Sequence, residues 1–296
     1  MINRSGPVGI GIVGAGTISN TYLENLTSFA DTTVVAVADL IPEAARQKAE
    51  LFGVRRFGSV ESLLADDDVD IVVNLTVPSA HAEVAGQAVS AGKHVWNEKP
   101  LTVDRESAQA LLKQADAAGV RVGCAPDTFL GSGLQHARRL VEEGLIGTPL
   151  TALVLMQSLG PESWHPNPGF YFAPGAGPLF DMGPYYLTAM AEIFGPVDSL
   201  AATGSRAKET RVVGSGPRAG EEITVGVPTH VSVLARYRSG QSAVMIFSFD
   251  SAQGSTTIEV NGSEGTAAFP DPNRFDGDVI LRRARPNEPP EVLSGP

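Results

Sequence analysis

A glycine loop between an apolar strand and a helix constrains the fold of this chain more than any other segment. The stretch from Val8 to Val13 is short, apolar and β-branched, and it runs into Gly14-Ala15-Gly16-Thr17-Ile18-Ser19, where a helical pattern opens. In such a loop Gly14 makes the tight bend, Gly16 lets the backbone approach a ligand, and the small Ser19 lets the helix pack close to the strand. The helix start offers N–H groups and a positive dipole end to an anion.

An acidic residue follows the second apolar run at the distance that a dinucleotide site requires. Residues 33–38 form that run, and Asp39 comes next, 20 residues after Ser19. A carboxylate there can accept both hydroxyls of an adenosine ribose, so the segment predicts dinucleotide binding. The same carboxylate repels a 2′-phosphate, and Leu40 and Ile41 offer no cation to hold one. NAD is therefore favoured over NADP.

The rest of the first half alternates apolar strands with amphipathic helices. The predicted elements are a helix over 43–52 with Pro42 in its first turn, a strand over 71–75, a helix over 80–91, a strand over 94–97, a helix from Asp104 to Ala118 ended by Gly119, and a strand over 120–124. This alternation is typical of a parallel sheet covered on both sides. We therefore predict an α/β Rossmann domain over residues 1–125.

The second half has longer, alternating segments and predicts a different architecture. A helix is expected over 132–143, and strands are expected over 150–158, 224–237, 242–248, 256–260 and 279–282, with Gly- and Pro-rich stretches at 160–184 and 213–220. Such a pattern favours a mostly antiparallel sheet with one buried side. An α+β domain with a mostly antiparallel open sheet is therefore expected over 126–296, after a boundary at Ala125-Pro126.

Composition excludes several partners. Lys and Arg number 22 against 33 Asp and Glu, which gives a net charge of −11, so neither nucleic acid nor an anionic membrane is an expected partner. The single cysteine, Cys124, cannot form an intramolecular disulfide and is expected to be a small buried side chain. No cluster has metal-ligand spacing, so no metal is predicted. The N-terminus lacks a signal-peptide pattern and no run of about 18 apolar residues occurs, which favours a soluble, cytoplasmic protein.

Three further segments carry a family resemblance. They are Asn74-Leu75-Thr76-Val77-Pro78 with His81, then Glu98-Lys99-Pro100, and finally the stretch from Gly177 to Tyr186 that contains Asp181-Met182-Gly183-Pro184-Tyr185. With the glycine loop they resemble the glucose–fructose oxidoreductase / inositol dehydrogenase / rhizopine-catabolism (Gfo/Idh/MocA) family, from about residue 8 to residue 200. The E-K-P tripeptide after a Rossmann strand, paired with a later D-x-G-x-[HY], is specific, whereas each piece alone is not.

The resemblance implies an NAD(P)-dependent oxidoreductase that oxidises a secondary hydroxyl of a sugar, cyclitol or glycoside by hydride transfer to nicotinamide. It also implies a homodimer or homotetramer that associates through the second-domain sheet. The predicted cofactor-binding residues are Gly14, Gly16, Thr17, Ile18, Ser19, Asp39, Thr76, Pro78, His81 and Glu98. For His81, packing at a helix start is the alternative role. Glu98 is expected either to orient Lys99 or to contact the nicotinamide ribose.

The candidate catalytic residues are Lys99, Tyr185, Asp181 and His165. An ammonium at Lys99 can hydrogen-bond a substrate hydroxyl and stabilise the charge that forms as its proton leaves. Many relatives have His where this chain has Tyr185, while branches that resemble glucose–fructose oxidoreductase and dimeric dihydrodiol dehydrogenase carry Tyr. We predict a Lys99/Tyr185 pair, with Asp181 binding a second hydroxyl. If Asp181 begins a helix, Asp181 and Tyr185 lie on one face of it.

The sequence is compatible with alternative roles for several of the candidate aromatic and histidine residues. Tyr186 rivals Tyr185, because a one-residue change of helix register would exchange them, and it is assigned to substrate binding together with Trp164. The flat face of Trp164 suits the C–H groups of a sugar. His165 is either a substrate hydroxyl ligand or an alternative base. Tyr185 could also serve only in packing.

Three other functions are compatible with the same residues. A tightly bound NAD could drive elimination or glycoside cleavage by transient oxidation, or the chain could be an NAD-binding sensor without turnover. The third is an inactive fragment, truncated at its C-terminus. That interpretation rests on the Pro-rich segment 286–296, which has no closing helix pattern.

Overall fold

The computed structural model describes residues 6–285 and 287–295. Met1–Ser5, where no signal peptide is predicted, and Pro286 and Pro296 of the Pro-rich end lie outside these residues. The chain divides into two compact units, Met1–Ala125 and Pro126–Pro296. Within the described ranges, no helix has the length and apolar character that crossing a bilayer requires.

The first unit is a parallel sheet with helices between its strands. Its strands are β1 (Val8–Val13), β2 (Thr32–Ala38), β3 (Arg56–Gly58), β4 (Ile71–Asn74), β5 (His94–Asn97) and β6 (Val122–Cys124). Its helices are α1 (Ser19–Leu26), α2 (Pro42–Phe52), α3 (Val60–Leu64), α4 (His81–Ser90) and α5 (Arg105–Ala118). The order β3-β2-β1-β4-β5-β6, parallel throughout, confirms the Rossmann prediction. The order reverses at β1/β4, where such sheets bind ligands.

Local chemistry explains most of these elements. The side chain of Asp104 accepts the Ser107 N–H at 2.7 Å and caps α5, and Gly119 ends that helix in the left-handed region at φ 68°. Pro42 stands in the first turn of α2, where its missing N–H costs nothing. The sequence did not predict β3 or α3, because three and five residues are too few to show a period.

The second unit is an α+β arrangement around one large sheet, with a separate two-stranded sheet. Its helices are α6 (Ser132–Glu142), α7 (Pro178–Asp181) and α8 (Gly183–Phe194). Its strands are β7 (Pro149–Gln157), β8 (Val197–Ser205), β9 (Thr210–Val212), β10 (Glu222–Thr224), β11 (His230–Tyr237), β12 (Ser242–Ser248), β13 (Ser255–Gly262), β14 (Gly265–Ala268), β15 (Val279–Arg283) and β16 (Glu291–Leu293).

The large sheet of this unit has eight strands in the order β16-β15-β14-β13-β7-β12-β11-β8. Only the β7/β12 pair is parallel among the described strands of this sheet, which confirms the mostly antiparallel prediction. The strand predicted over 224–237 is in fact two strands, β10 and β11, separated by a segment that contains Gly226 and Pro228. The sequence missed β8 because its nine residues are all exposed and show no alternation.

One face of the large sheet forms the core and the other stays open. Ala152, Val154 and Met156 of β7 face inward and pack with Met190 of α8 in one apolar cluster. Leu153, between them, is exposed. This alternation fits a sheet that is covered on one side.

A buried ionic cluster fastens the glycine-rich stretch after β7 to the rest of the second unit. Arg211 of β9 has a side chain only 5% exposed, and it makes ion pairs with Glu162 and Asp250. It also donates hydrogen bonds to the carbonyl oxygens of Leu159 and Phe249, both at 3.1 Å. These partners lie 38–52 residues away in sequence, so no local pattern could identify Arg211.

We expect two similar arginine substitutions to lower the stability of the protein by unequal amounts. Arg211→Met leaves two mostly buried carboxylates without their cation, and it should lower the free energy of unfolding by about 3–5 kcal/mol. Arg236→Met removes an ion pair with Asp198 whose arginine is 67% exposed, and it should leave the unfolding midpoint nearly unchanged. Urea unfolding of both variants checks this; equal destabilisation would contradict the role given to Arg211.

Candidate active site

The glycine loop after β1 has the geometry that its sequence predicts for a phosphate site. Gly14 has φ 104°, and a Cβ there would lie 2.6 Å from the carbonyl oxygen of Leu75, so only glycine fits. Around Gly16 a Cβ would meet no atom within 4 Å, and Gly16, Thr17 and Ile18 are all exposed. No side chain caps the start of α1. This open, uncapped helix start fits the pyrophosphate of a dinucleotide.

Ser19 and Asp39 hold the loop from two sides. Ser19 is buried and its hydroxyl donates to the Gly16 carbonyl oxygen at 2.6 Å. The Asp39 carboxylate accepts the Ala15 N–H at 2.7 Å and the Ile41 N–H at 2.8 Å. This half-buried carboxylate therefore stands at the end of β2 with its orientation fixed by two backbone N–H groups.

A buried amide pair joins the carboxyl ends of β4 and β5. Asn74 Nδ2 donates to Asn97 Oδ1 at 2.9 Å and to the His81 carbonyl oxygen at 3.2 Å. Asn74 Oδ1 accepts the Thr76 hydroxyl at 2.7 Å, and Asn97 Nδ2 donates to the Leu101 carbonyl oxygen at 2.9 Å. Both asparagines are completely buried. The two loops that follow these strands are thus tied to each other.

The His81 ring is part of the same hydrogen-bond network. The side chain is only 1% exposed, with Nδ1 2.6 Å from the Pro100 carbonyl oxygen and Nε2 3.0 Å from the Thr76 carbonyl oxygen. Both ring nitrogens are therefore engaged by backbone. These contacts support the alternative role of packing at a helix start, in which His81 holds the loop of Thr76 against the turn of Pro100. Cofactor binding by His81 stays a prediction.

The E-K-P turn follows β5 directly, and the Lys99–Pro100 peptide bond is cis. Glu98 Oε1 accepts a hydrogen bond from the Tyr22 hydroxyl at 3.0 Å, and Glu98 Oε2 accepts the Lys99 N–H at 2.8 Å. Trp96 Nε1 donates to the same Tyr22 oxygen at 3.3 Å. Sequence reasoning missed Tyr22 and Trp96, which lie 74 residues apart. Together these contacts fix the Glu98 carboxylate beside Lys99.

Cys124 lies near this turn but has no reactive character. It is half-buried, and its thiol donates to the Ala125 carbonyl oxygen at 3.0 Å. Burial raises the pKa of Cys124 to about 12, so the thiol stays protonated at neutral pH. Among the residues that the structure describes, no group of three His, Cys, Asp or Glu side chains could hold a metal ion.

In the second unit the helix around Asp181 and Tyr185 differs from the expectation. Asp181 ends α7 and Tyr185 lies in the first turn of α8, with Met182 between the two helices. The condition under which Asp181 and Tyr185 would share one face of a helix is therefore not met. A separate short helix begins at Pro178, three residues before Asp181, and it ends before Met182. Both Asp181 and Tyr185 are half-buried.

Tyr186 is a core residue, and its assignment to substrate binding is wrong. Its side chain is 1% exposed, and its ring packs edge-on against that of Phe247, with 5.8 Å between the ring centroids. Its hydroxyl is hydrogen-bonded to the side chain of Thr256. Burial raises the pKa of Tyr186, which further removes it from proton transfer. The register of α8 therefore separates the rivals: Tyr186 faces the core, and Tyr185 remains the candidate.

His165 lies in an aromatic cluster that we call the aromatic loop (residues 164–171). The His165 ring centroid lies 5.4 Å from that of Trp164, 5.4 Å from that of Phe170 and 5.3 Å from that of Tyr171, in each case edge-on. Burial lowers the pKa of His165, while the negative charge of Asp181 acts in the opposite direction. Trp164 is 64% exposed. The structure thus brings three predicted residues, Trp164, His165 and Asp181, into one region of the second unit.

Comparison with known proteins agrees with both units. Residues 8–125 match the family model described as "Oxidoreductase family, NAD-binding Rossmann fold", and residues 134–268 match the "GFO/IDH/MocA C-terminal domain". Inositol 2-dehydrogenase of Rhizobium meliloti is 27% identical over 264 residues, which cover 88% of this chain and 75% of that protein. Trans-1,2-dihydrobenzene-1,2-diol dehydrogenase of Bos taurus is 27% identical over 275 residues, which cover 92% and 77%.

Solved structures show the same fold. Levoglucosan dehydrogenase in complex with NADH and L-sorbose superposes with a TM-score of 0.84 at 21% identity, covering 98% of this chain and 80% of that one. An NAD binding oxidoreductase from Klebsiella pneumoniae gives a TM-score of 0.82 at 24% identity, with coverage of 98% and 80%. The two family models together span most of the sequence. The resemblance seen in the motifs is thereby confirmed, and the chain belongs to the GFO/IDH/MocA family of oxidoreductases, with the NAD-binding Rossmann fold of that family in its first unit.

Proposed function

We propose that this chain is an NAD-dependent dehydrogenase that oxidises a secondary hydroxyl of a sugar, cyclitol or glycoside. The observation that carries the proposal is the E-K-P turn, in which Lys99 follows β5 beside a Glu98 carboxylate that Tyr22 fixes. The carboxyl end of such a sheet is where a ligand binds. Relatives named for inositol and levoglucosan support this substrate class.

The first unit would hold the cofactor with the residues of the glycine loop and β2. Gly14, Gly16, Thr17 and Ile18 would receive the pyrophosphate, with Ser19 supporting the loop, and Asp39 would accept the ribose hydroxyls. Thr76, Pro78 and Glu98 line the ends of β4 and β5, where the nicotinamide half would lie. Bound NAD supplies the hydride acceptor.

The charge at the end of β2 supports NAD over NADP. The Asp39 carboxylate would repel a 2′-phosphate, and Leu40 beside it is 95% exposed and uncharged. Arg46, in the following helix, is already paired with Glu43 and Glu50. Arg46 is therefore not free to offset the repulsion.

The proposed proton chemistry uses three side chains. The Lys99 ammonium donates a hydrogen bond to the reacting hydroxyl and stabilises negative charge on its oxygen as the proton leaves. Tyr185 would receive that proton only as the phenolate, a form that the positive charge of Lys99 would favour, and it becomes a neutral phenol in the step. Asp181 would accept a hydrogen bond from a second hydroxyl, which orients the ring. Trp164 offers its exposed face to the sugar C–H groups. In this scheme residues 1–125 bind the dinucleotide and residues 126–296 bind the substrate.

We also propose that the open face of the large sheet pairs with a second copy of the chain, giving a homodimer or homotetramer. Leu153, Val244 and Leu234 stand side by side on three neighbouring strands, and all three are exposed. A row of large aliphatic side chains on an exposed sheet face is costly in water, because it leaves apolar surface unburied. A second copy would cover it.

Lys99→Ala tests the catalytic proposal. The variant should lose about 10²–10⁴-fold in kcat with the sugar or cyclitol that the wild type oxidises, because the hydroxyl loses its charged partner. Its dissociation constant for NAD, measured by calorimetry, should change by no more than about tenfold, since one hydrogen bond at most is lost. Lys113→Ala, on the exposed side of α5, is the matched control and should behave as wild type. Full activity of Lys99→Ala would refute the assignment, whereas a wild type that binds NAD but oxidises no sugar or cyclitol would favour a sensor without turnover.

Val244→Glu tests the proposed oligomer. Placing a charge in the middle of the aliphatic row should split the assembly, because a buried unpaired carboxylate is costly. Light scattering should give a multiple of 31.0 kDa for the wild type and about one chain mass for the variant. Lys113→Glu serves as the control. A wild type that scatters as a single chain would contradict the proposal.

A further inference from the structure

One ring nitrogen of His165 is already used as a hydrogen-bond acceptor. The backbone N–H of Asn167 donates to His165 Nδ1 at 3.0 Å. A neutral imidazole carries one proton, on one nitrogen, and presents a lone pair on the other. Because the Nδ1 lone pair is engaged by Asn167, the proton of the neutral ring must lie on Nε2.

The segment around this contact is anchored on both sides, so the tautomer is built into the fold. Asn167 Oδ1 accepts a hydrogen bond from Arg218 at 2.5 Å, and Arg218 is itself paired with Glu221 at 2.8 Å. On the other side, the Ser215 hydroxyl donates to the Trp164 carbonyl oxygen at 2.7 Å. The segment that contains Ser215 and Arg218 therefore holds the backbone of Trp164 before His165 and the side chain of Asn167 after it.

The surroundings of the ring favour its neutral form. The rings of Trp164, Phe170 and Tyr171 each make an edge-on contact with the His165 ring. Burial lowers the pKa of His165. Asp181 is the charged group whose field reaches the ring, and it acts against this shift. In the part of the chain that the structure describes, Nε2 has no hydrogen-bond partner. A half-buried N–H group near Asp181 is thus available to a bound molecule.

We infer that His165 is a hydrogen-bond donor that positions the substrate through Nε2–H, and that it is not the base that removes the hydroxyl proton. The inference deepens the proposed function and rests on it, since it assumes a sugar or cyclitol beside Asp181. A ring in this tautomer can gain a proton only at Nδ1, after its bond to Asn167 breaks. The open choice between hydroxyl ligand and base is thereby decided, and proton transfer is left to Lys99 and Tyr185.

In this scheme His165 and Asp181 recognise the substrate in complementary ways, one as a hydrogen-bond donor and the other as an acceptor. Asp181 can only accept hydrogen bonds when ionised, and neutral His165 can only donate at Nε2. Such a pair selects a substrate that presents one oxygen as an acceptor and a nearby hydroxyl as a donor, as two hydroxyls of one polyol do. A substrate without the acceptor oxygen leaves the Nε2–H group of His165 unpaired, which a hydrogen-bonding site penalises strongly.

The tautomer can be measured directly on the full chain without any substrate. Long-range ¹H–¹⁵N correlation spectra of the histidine rings, with His165→Gln to assign the signals, report which nitrogen carries the proton. We expect the Nε2–H form of His165 at neutral pH. A proton on Nδ1, or a doubly protonated ring at neutral pH, would overturn the inference whatever the enzyme oxidises.

Steady-state kinetics with myo-inositol and D-glucose as probes separate a donor from a base. For a donor, His165→Ala should raise KM by about tenfold with little change in kcat, and His165→Gln, which keeps an N–H at the ε position, should recover most of the loss. A base would lose about 10²-fold or more in kcat in both variants, together with the acidic limb of the pH profile. That second pattern would overturn the inference. If the wild type oxidises neither probe nor any other sugar, the proposed function fails, while the tautomer measurement still decides the role of the nitrogen.

Discussion

The buried hydrogen bond between Asn74 and Asn97 holds the site of the first unit together. It joins the carboxyl ends of β4 and β5, and through Thr76, Leu101 and His81 it reaches both loops that follow those strands. Each of these amides is shielded from water, so an unpaired group there would cost about 1–3 kcal/mol. Lys99 owes its fixed place after β5 to this network and to the Tyr22–Glu98 contact.

In the second unit, two arginines hold the aromatic loop in place. Arg211 of β9 pairs with Asp250 and with Glu162, which lies just before the aromatic loop. Arg218 donates a hydrogen bond to Asn167 within the loop. The loop is rich in residues that are exposed and would otherwise be free to move. These anchors explain how a glycine- and proline-rich segment can present Trp164 and His165 in one arrangement. A binding surface needs this kind of preorganisation, because ordering a loose loop costs affinity.

The sequence predicts those features that local chemistry determines. Strands β1 and β5, the Asp104 cap and the bend at Gly14 follow from neighbouring residues, and the structure has them at the predicted positions. It does not predict features that depend on distant partners. Tyr22 meets Glu98 across 76 residues, and the choice between Tyr185 and Tyr186 depends on where α8 begins. A pattern that repeats every few residues carries no information about either.

The release of reduced nicotinamide tests the central claim most directly. The protein would be mixed with NAD or NADP and a panel of sugars and cyclitols, and the absorbance of the reduced cofactor followed over time. We expect many equivalents of NADH per chain with at least one member of the panel, and a slower rate with NADP because of Asp39. No reduced nicotinamide with any member would contradict it. So would reduction of a bound cofactor without net release, since that outcome belongs to transient oxidation during elimination or glycoside cleavage.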